Sequence, residues 1–311
     1  MNLIANAKVG WALLKQTYKE WMEDEPFDLS SSVAYYAIFS LPALLIIIIS
    51  IAGVVFGKEA VQGQISSQIG AMIGPQAGKD IQDMIANAYK SDNSIISTVI
   101  GIATLLFGST GVFLQLQKSL NTVWEVKPDP KAGIKKLVID RATSLGIIVA
   151  IGFILLISLV VTAGLSALSN WIQSRLPDFI LYIFYIVNFV VSLGIVTMLF
   201  AIIFKVLPDI KIKWRHVWIG AGVTALLFEL GRFGLGLYFG KSEPASAYGA
   251  AGTVILMMLW VYYSCLILFF GAQFTQVYSK RHGKDLPPSD HAVKVKMVEQ
   301  PVESGVPNAK A

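Results

Sequence analysis

Six long stretches of this chain carry almost no charge: Leu29–Gly57, Ser94–Gln117, Ala142–Ser174, Phe179–Phe204, Val217–Phe239 and Pro244–Ser279. Each exceeds the roughly 20 residues that a helix needs to cross a ~30 Å hydrocarbon core. A helix also satisfies its own backbone hydrogen bonds, which a bilayer cannot do for it. The predicted fold is therefore an all-α polytopic membrane protein with six transmembrane helices. Charged residues make up 14% of the chain, against about a quarter in soluble domains.

Lysine and arginine supply the orientation. The segments before the first span and after the second, fourth and sixth hold nineteen of them, and the alternate loops hold five. The positive-inside rule then places both termini in the cytoplasm. Topology accounts for the net charge of +5, so no nucleic-acid partner is implied.

The segments outside the spans have patterns of their own. In residues 1–28, Ala7, Trp11, Leu14, Tyr18 and Trp21 recur at alternating spacings of four and three, with Lys8, Lys15 and Lys19 off that stripe. This predicts a cytoplasmic amphipathic helix lying at the membrane interface, ended by Pro26. Residues 58–93 show two shorter periodic runs broken at "GPQAG", predicting an extracytoplasmic helical loop. The six-helix transmembrane domain is thus read as residues 29–279. Residues 280–311 read as a disordered cytoplasmic tail, because beyond Gly283 they show no periodicity.

Within the spans, Pro42 predicts a kink near Ser40–Leu41. Gly108 and Gly111 predict close helix packing. The stretch "FELGRFGLG" (228–236) sets Glu229 and Arg232 three residues apart in an otherwise apolar helix. That spacing puts both on one face. Each costs about 2.5–3.5 kcal/mol near a bilayer centre, and a pair that faces a bundle interior costs less. Two readings follow: a structural ion pair, or a polar site where Arg232 meets an anionic headgroup or solute and Glu229 balances it. Gly231, Gly234 and Gly236 give room for either. Asn188 and Gln273 are further substrate-path candidates. Gln115, Gln117 and Asn121 read as a solvated helix end, Tyr35 and Tyr36 as interface aromatics, and Trp124, Trp214 and Trp218 as membrane anchors.

Four segments, "SSSVAYYAIFSLPALL" (30–45), "GSTGVFLQLQKSLNTVWEV" (108–126), "LPDIKIKWRHVWIGAGVTALLFELGRF" (207–233) and "YGAAGTVILMMLWVYYSCLILFFGAQ" (248–273), resemble the YihY/BrkB family of bacterial inner-membrane proteins. The resemblance implies six membrane helices with cytoplasmic ends. It also implies a glutamate in the last motif, where this chain has Gln273. Some members are linked by name to virulence, and others carry a ribonuclease label.

The residues give that label no support. His216, His282 and His291 form no HxH or HxxE pattern, so no catalytic residue, metal ligand or cofactor is assigned. A G-x-x-x-x-G-K-[ST] loop is absent, which argues against an ATP-driven pump. Cys265 reads as a small packing residue. The leading expectation is a non-ATP-driven transporter of a lipid or other amphipathic anion, with membrane lipids as partners. A scaffold or assembly factor is the alternative, and an intramembrane enzyme stands third.

Overall fold

The computed structural model describes residues 3–73, 75–89, 111–129, 146, 178–242, 251–282 and 286–295. They are mostly helical. Leu3–Glu23 forms α1, Pro26–Phe56 α2, Lys58–Ile73 α3 and Pro75–Tyr89 α4. Residues 111–123 form α5. Strand β1 is Val126–Pro128; Asp178–Val206 forms α6, Trp214–Ser242 α7, Gly252–His282 α8 and Ala292–Lys294 β2. Among the described residues three helices are long and apolar enough to cross a membrane: Ile186–Val206, Trp214–Tyr238 and Gly252–His282. The expected spans over 94–117 and 142–174 fall largely outside the described residues.

The chain turns sharply from α1 into α2. Glu25 takes left-handed angles, φ 51° and ψ 57°, and Pro26 opens the next helix where a missing N–H costs nothing. α2 then runs unbroken through Pro42 to Phe56. The two runs of residues 58–93 become α3 and α4, separated within "GPQAG" as their periodicity requires. They fold against each other, with Ser66 Oγ donating to Gly78 O at 2.7 Å.

The last helix is the hub, packing against α1, α2, α3, α4 and α7. At one end, Ala77 and Ile81 of α4 join Leu45 and Ile49 of α2 and Leu256 and Met257 of α8 in a core. Thr253 at the start of α8 hydrogen-bonds Asp80 of α4. Toward the other end a larger core gathers Val33, Leu120, Trp124, Phe204, Val217 and Phe269.

Two expectations fail at this second end. The tail is not structureless from residue 280: α8 runs to His282, and β2 pairs antiparallel with β1, Val126 opposite Lys294. Residues 286–295 form a strap, held further by Ser289 N to Asp209 O (2.9 Å) and Lys211 N to Pro287 O (3.0 Å). Backbone pairing of this kind needs no side-chain periodicity, so the sequence pattern does not announce it. Residues 283–285 and 296–311 lie outside the described part. Trp124 is no membrane anchor either, being 1% exposed inside the core; Trp214 and Trp218 are half-exposed.

Candidate functional site

The α7–α8 pair is built on small residues. Gly220 and Thr224 of α7 face Thr275 and Gly271 of α8 as antiparallel small-x-x-x-small pairs, which let the backbones approach. A Cβ on Gly220 would lie 1.7 Å from Thr275 Oγ1, and one on Gly271 1.8 Å from Thr224 Oγ1. Each threonine hydroxyl folds back on its own helix, Thr224 to Gly220 O and Thr275 to Gly271 O, both at 2.7 Å. A polar group is thereby satisfied without a partner across the interface. About two turns after Thr224, Gly231 admits the Tyr263 hydroxyl, 1.6 Å from where a Cβ would stand.

That register carries the charged pair. Arg232 Nη2 binds Glu229 Oε2 at 2.8 Å, as the three-residue spacing predicts. Glu229 is 11% exposed and Arg232 45%. The guanidinium thus lies at the helix surface next to exposed Phe233, over a nearly buried counter-ion. The nearby glycines divide: Gly231 makes a close contact, whereas Gly234 and Gly236 meet nothing within 4 Å. A Cβ on Gly111 would lie 3.4 Å from the Tyr36 ring, and Gly108 lies outside the described residues.

The four substrate-path candidates do not converge. Asn188 is exposed on α6. Gln273 lies level with about Gly222 in the α7–α8 register, roughly 10 Å along the axis from Glu229 at 1.5 Å per residue.

Gln273 instead joins a second polar site, at the end where α1 and the strands gather. Its Nε2 donates to Glu20 Oε2 at 2.9 Å and to Gln276 Oε1 at 2.7 Å. Glu20 Oε1 accepts from Gln16 at 2.9 Å. Both glutamines of α8 are 2% exposed, and Gln273 Oε1 has no hydrogen-bond partner in the protein. One helical turn further, Lys280 Nζ binds Glu125 Oε1 at 3.1 Å. Gln276, Lys280, Glu125 and buried Trp124 border a cavity of about 10 Å³, space for about one water. Asp24 closes the cluster: burial first, then the Glu125 and Glu20 carboxylates, raise its carboxyl from 3.8 to about 7, against the pull of Lys280.

This site uses a different face of α1 from the one the sequence singles out. Leu13 and Thr17 pack inward, with Leu13 against Phe274 and Val277. Trp11, Leu14, Tyr18 and Met22 are exposed. Trp21 of that stripe turns inward instead, its ring edge-on to Phe270 at 5.7 Å.

Asn121 also departs from the expected solvated helix end. It is 4% exposed and clamps Asp209, donating from Nδ2 to Oδ2 at 2.9 Å and accepting from the Asp209 N–H at 2.8 Å.

The family model described as "Virulence factor BrkB" matches residues 17–295. The chain belongs to the BrkB family. The match takes in Glu20, Asp24 and the docked strap, beyond the four segments that carry the resemblance. Its curated relatives include a UPF0761 membrane protein of Verminephrobacter eiseniae, 26% identical over 85% of this chain and 62% of the relative. Another, from Alteromonas mediterranea, is 26% identical over 83% of this chain and 84% of its own. A third, from Pseudoalteromonas atlantica, is 26% identical over 79% and 78% respectively. The BrkB-family chain therefore spans just under two thirds of the first relative's length and about four fifths of the others'. No solved structure matches it. Where the resemblance implies a glutamate, this chain has Gln273 and brings in the carboxylate of Glu20 from α1.

Proposed function

We propose that the protein crosses a bacterial inner membrane six times, with both termini in the cytoplasm, and transports a lipid or other amphipathic anion without ATP. The observation that carries this reading is the Arg232–Glu229 pair. Arg232 stands at an apolar helix surface while Glu229 beneath it is nearly buried. Guanidinium groups bind phosphate or carboxylate oxygens through paired N–H donors, and exposed Phe233, the next residue, offers an apolar surface to an acyl chain. Charged side chains at this depth are costly, and functional sites are where they concentrate.

The test is native mass spectrometry of wild type, Arg232→Ala and Arg232→Lys in mild detergent, followed by lipid extraction. Retention of an anionic lipid by wild type, lost in Arg232→Ala and weakened in Arg232→Lys, supports a binding site. Equal, nonspecific retention by all three leaves a structural ion pair and removes the basis for transport. A ligand found this way would then be followed in proteoliposomes.

A scaffold without transport activity is the second reading, favoured by the exposed Trp11, Leu14, Tyr18 and Met22 on α1. Under that reading deletion of residues 1–22 is the more damaging change. No enzymatic role is proposed, because the sequence pairs no nucleophile with a base.

A further inference from the structure

Asp24 occupies a hinge. It is the last residue before Glu25, whose left-handed backbone turns α1 into α2, a conformation that costs a non-glycine residue roughly 1 kcal/mol or more. Glu20, Glu23 and Asp24 all fall at the C-terminal end of α1, and its last turn holds no basic residue. That end of a helix carries partial negative charge and disfavours carboxylates.

The surroundings make this worse for an ionised Asp24. From α1 itself come Glu20 and Glu23, and from the turn after α5 comes Glu125. Among the described residues the one cation facing it is Lys280 of α8, already bound to Glu125 at 3.1 Å. Glu25 and Asp28, at the start of α2, are exposed. Beside this cluster, Gln273 Oε1 is buried without a protein partner, on the amide whose Nε2 binds Glu20. The site is thus built for a neutral acid at Asp24, and it lies where α1 is fastened to α8.

We propose that Asp24 is a proton-binding site whose occupancy controls how firmly the N-terminal helix is held against the last helix. The proton neutralises one of the carboxylates packed around the hinge, and its loss makes that packing repulsive. Because α8 contacts most of the other helices, release of α1 alters the end of the bundle where Gln273 and Gln276 are buried. The proposal does not depend on Arg232 binding an anion.

The sign follows from linkage. Packing raises the carboxyl to about 7, so the docked state holds the proton more tightly than a released α1. Docking is then strongest at acid pH and weakens from about pH 4 up to about 7, levelling off above that.

The experiment uses the full chain in lipid nanodiscs with Cys265→Ala, Lys15→Cys and Arg281→Cys, spin-labelled at the two exposed positions. Distance distributions are measured from pH 5 to 8, and infrared spectra follow the protonated carboxyl. In the otherwise wild-type background the released population should rise as pH rises toward 7 and then level off. Asp24→Asn should stay docked throughout and lack a carboxyl band that titrates near 7. Glu125→Gln, which removes one repelling charge and frees Lys280, should shift that band to lower pH. A distance distribution identical at pH 5 and 8, or Asp24→Asn with an undiminished pH response, overturns the proposal.

Discussion

Glu20 of the first helix accepts a 2.9 Å hydrogen bond from Gln273 of the last helix, 253 positions later in the chain. Gln273 is 2% exposed, so the amide has no water to turn to. Removing the carboxylate leaves an N–H donor with only Gln276, at a cost of about 1–3 kcal/mol. Glu20→Ala is therefore expected to free α1 more readily than Glu20→Gln, which keeps an acceptor. Limited proteolysis within residues 3–23 reads this directly. If Glu20→Ala is cut no faster than wild type, the bond does not hold the helix.

The α7–α8 contact allows a paired prediction on glycines. Gly220→Ala or Gly271→Ala drives a methyl into a threonine side chain of the opposite helix, and overpacking of this kind costs about 1–3 kcal/mol. Gly222→Ala and Gly236→Ala meet nothing within 4 Å. They should leave thermal stability unchanged or raise it slightly, since alanine favours helix by about 1 kcal/mol. Unfolding of the four variants in detergent, followed by circular dichroism, separates the two classes. Similar melting temperatures for all four would mean that the helices slide freely past one another.

These two sites show what the sequence carries and what it hides. Glu229 and Arg232 are three apart in one helix, so their contact follows from helical geometry alone. The two helices of residues 58–93 are likewise local. The α7–α8 contact leaves a partial trace, since "GAGVT" and "GAQFT" repeat one small-residue spacing, but the same helix carries other glycines, Gly234 and Gly236, that make no such contact. Asn121 and Asp209 are 88 residues apart, and nothing in the sequence pairs one asparagine with one aspartate at that distance. That α1 docks through Leu13 and Thr17, outside its apolar stripe, has a physical reason. Apolar periodicity marks a face that avoids water, and it does not distinguish burial against protein from burial in lipid.

The strap gives a third prediction. Asn121→Ala deletes both bonds to Asp209 and leaves a cavity at a 4%-exposed position, for a loss of about 2 kcal/mol. Ending the chain at Asp285 removes β2 and the backbone bonds from Pro287 and Ser289, uncovering the strand that follows Trp124. Both changes act on the segment 207–213, so their effects on stability should be less than additive. Full additivity in thermal unfolding would mean that the strap and the Asn121 clamp stabilise separate parts of the molecule.

The outer face of α1 leads to the last prediction. Trp11 is 72% exposed and Tyr18 56%, with Leu14 and Met22 on the same side, while Leu13 and Thr17 bind the helix to the protein. A helix fastened by one face and apolar on the other is stable only where a second apolar phase meets it. At the end of a membrane bundle that phase is the boundary between headgroups and acyl chains, where tryptophan and tyrosine are favoured. The emission difference between wild type and Trp11→Phe isolates Trp11 from the other tryptophans. In vesicles containing brominated lipids that difference should be strongly quenched at shallow depth, and more so with anionic lipid, because Lys8, Lys15 and Lys19 lie near the same surface. Quenching indifferent to brominated lipid would place Trp11 away from the bilayer and assign this face to a protein partner, as the scaffold reading requires.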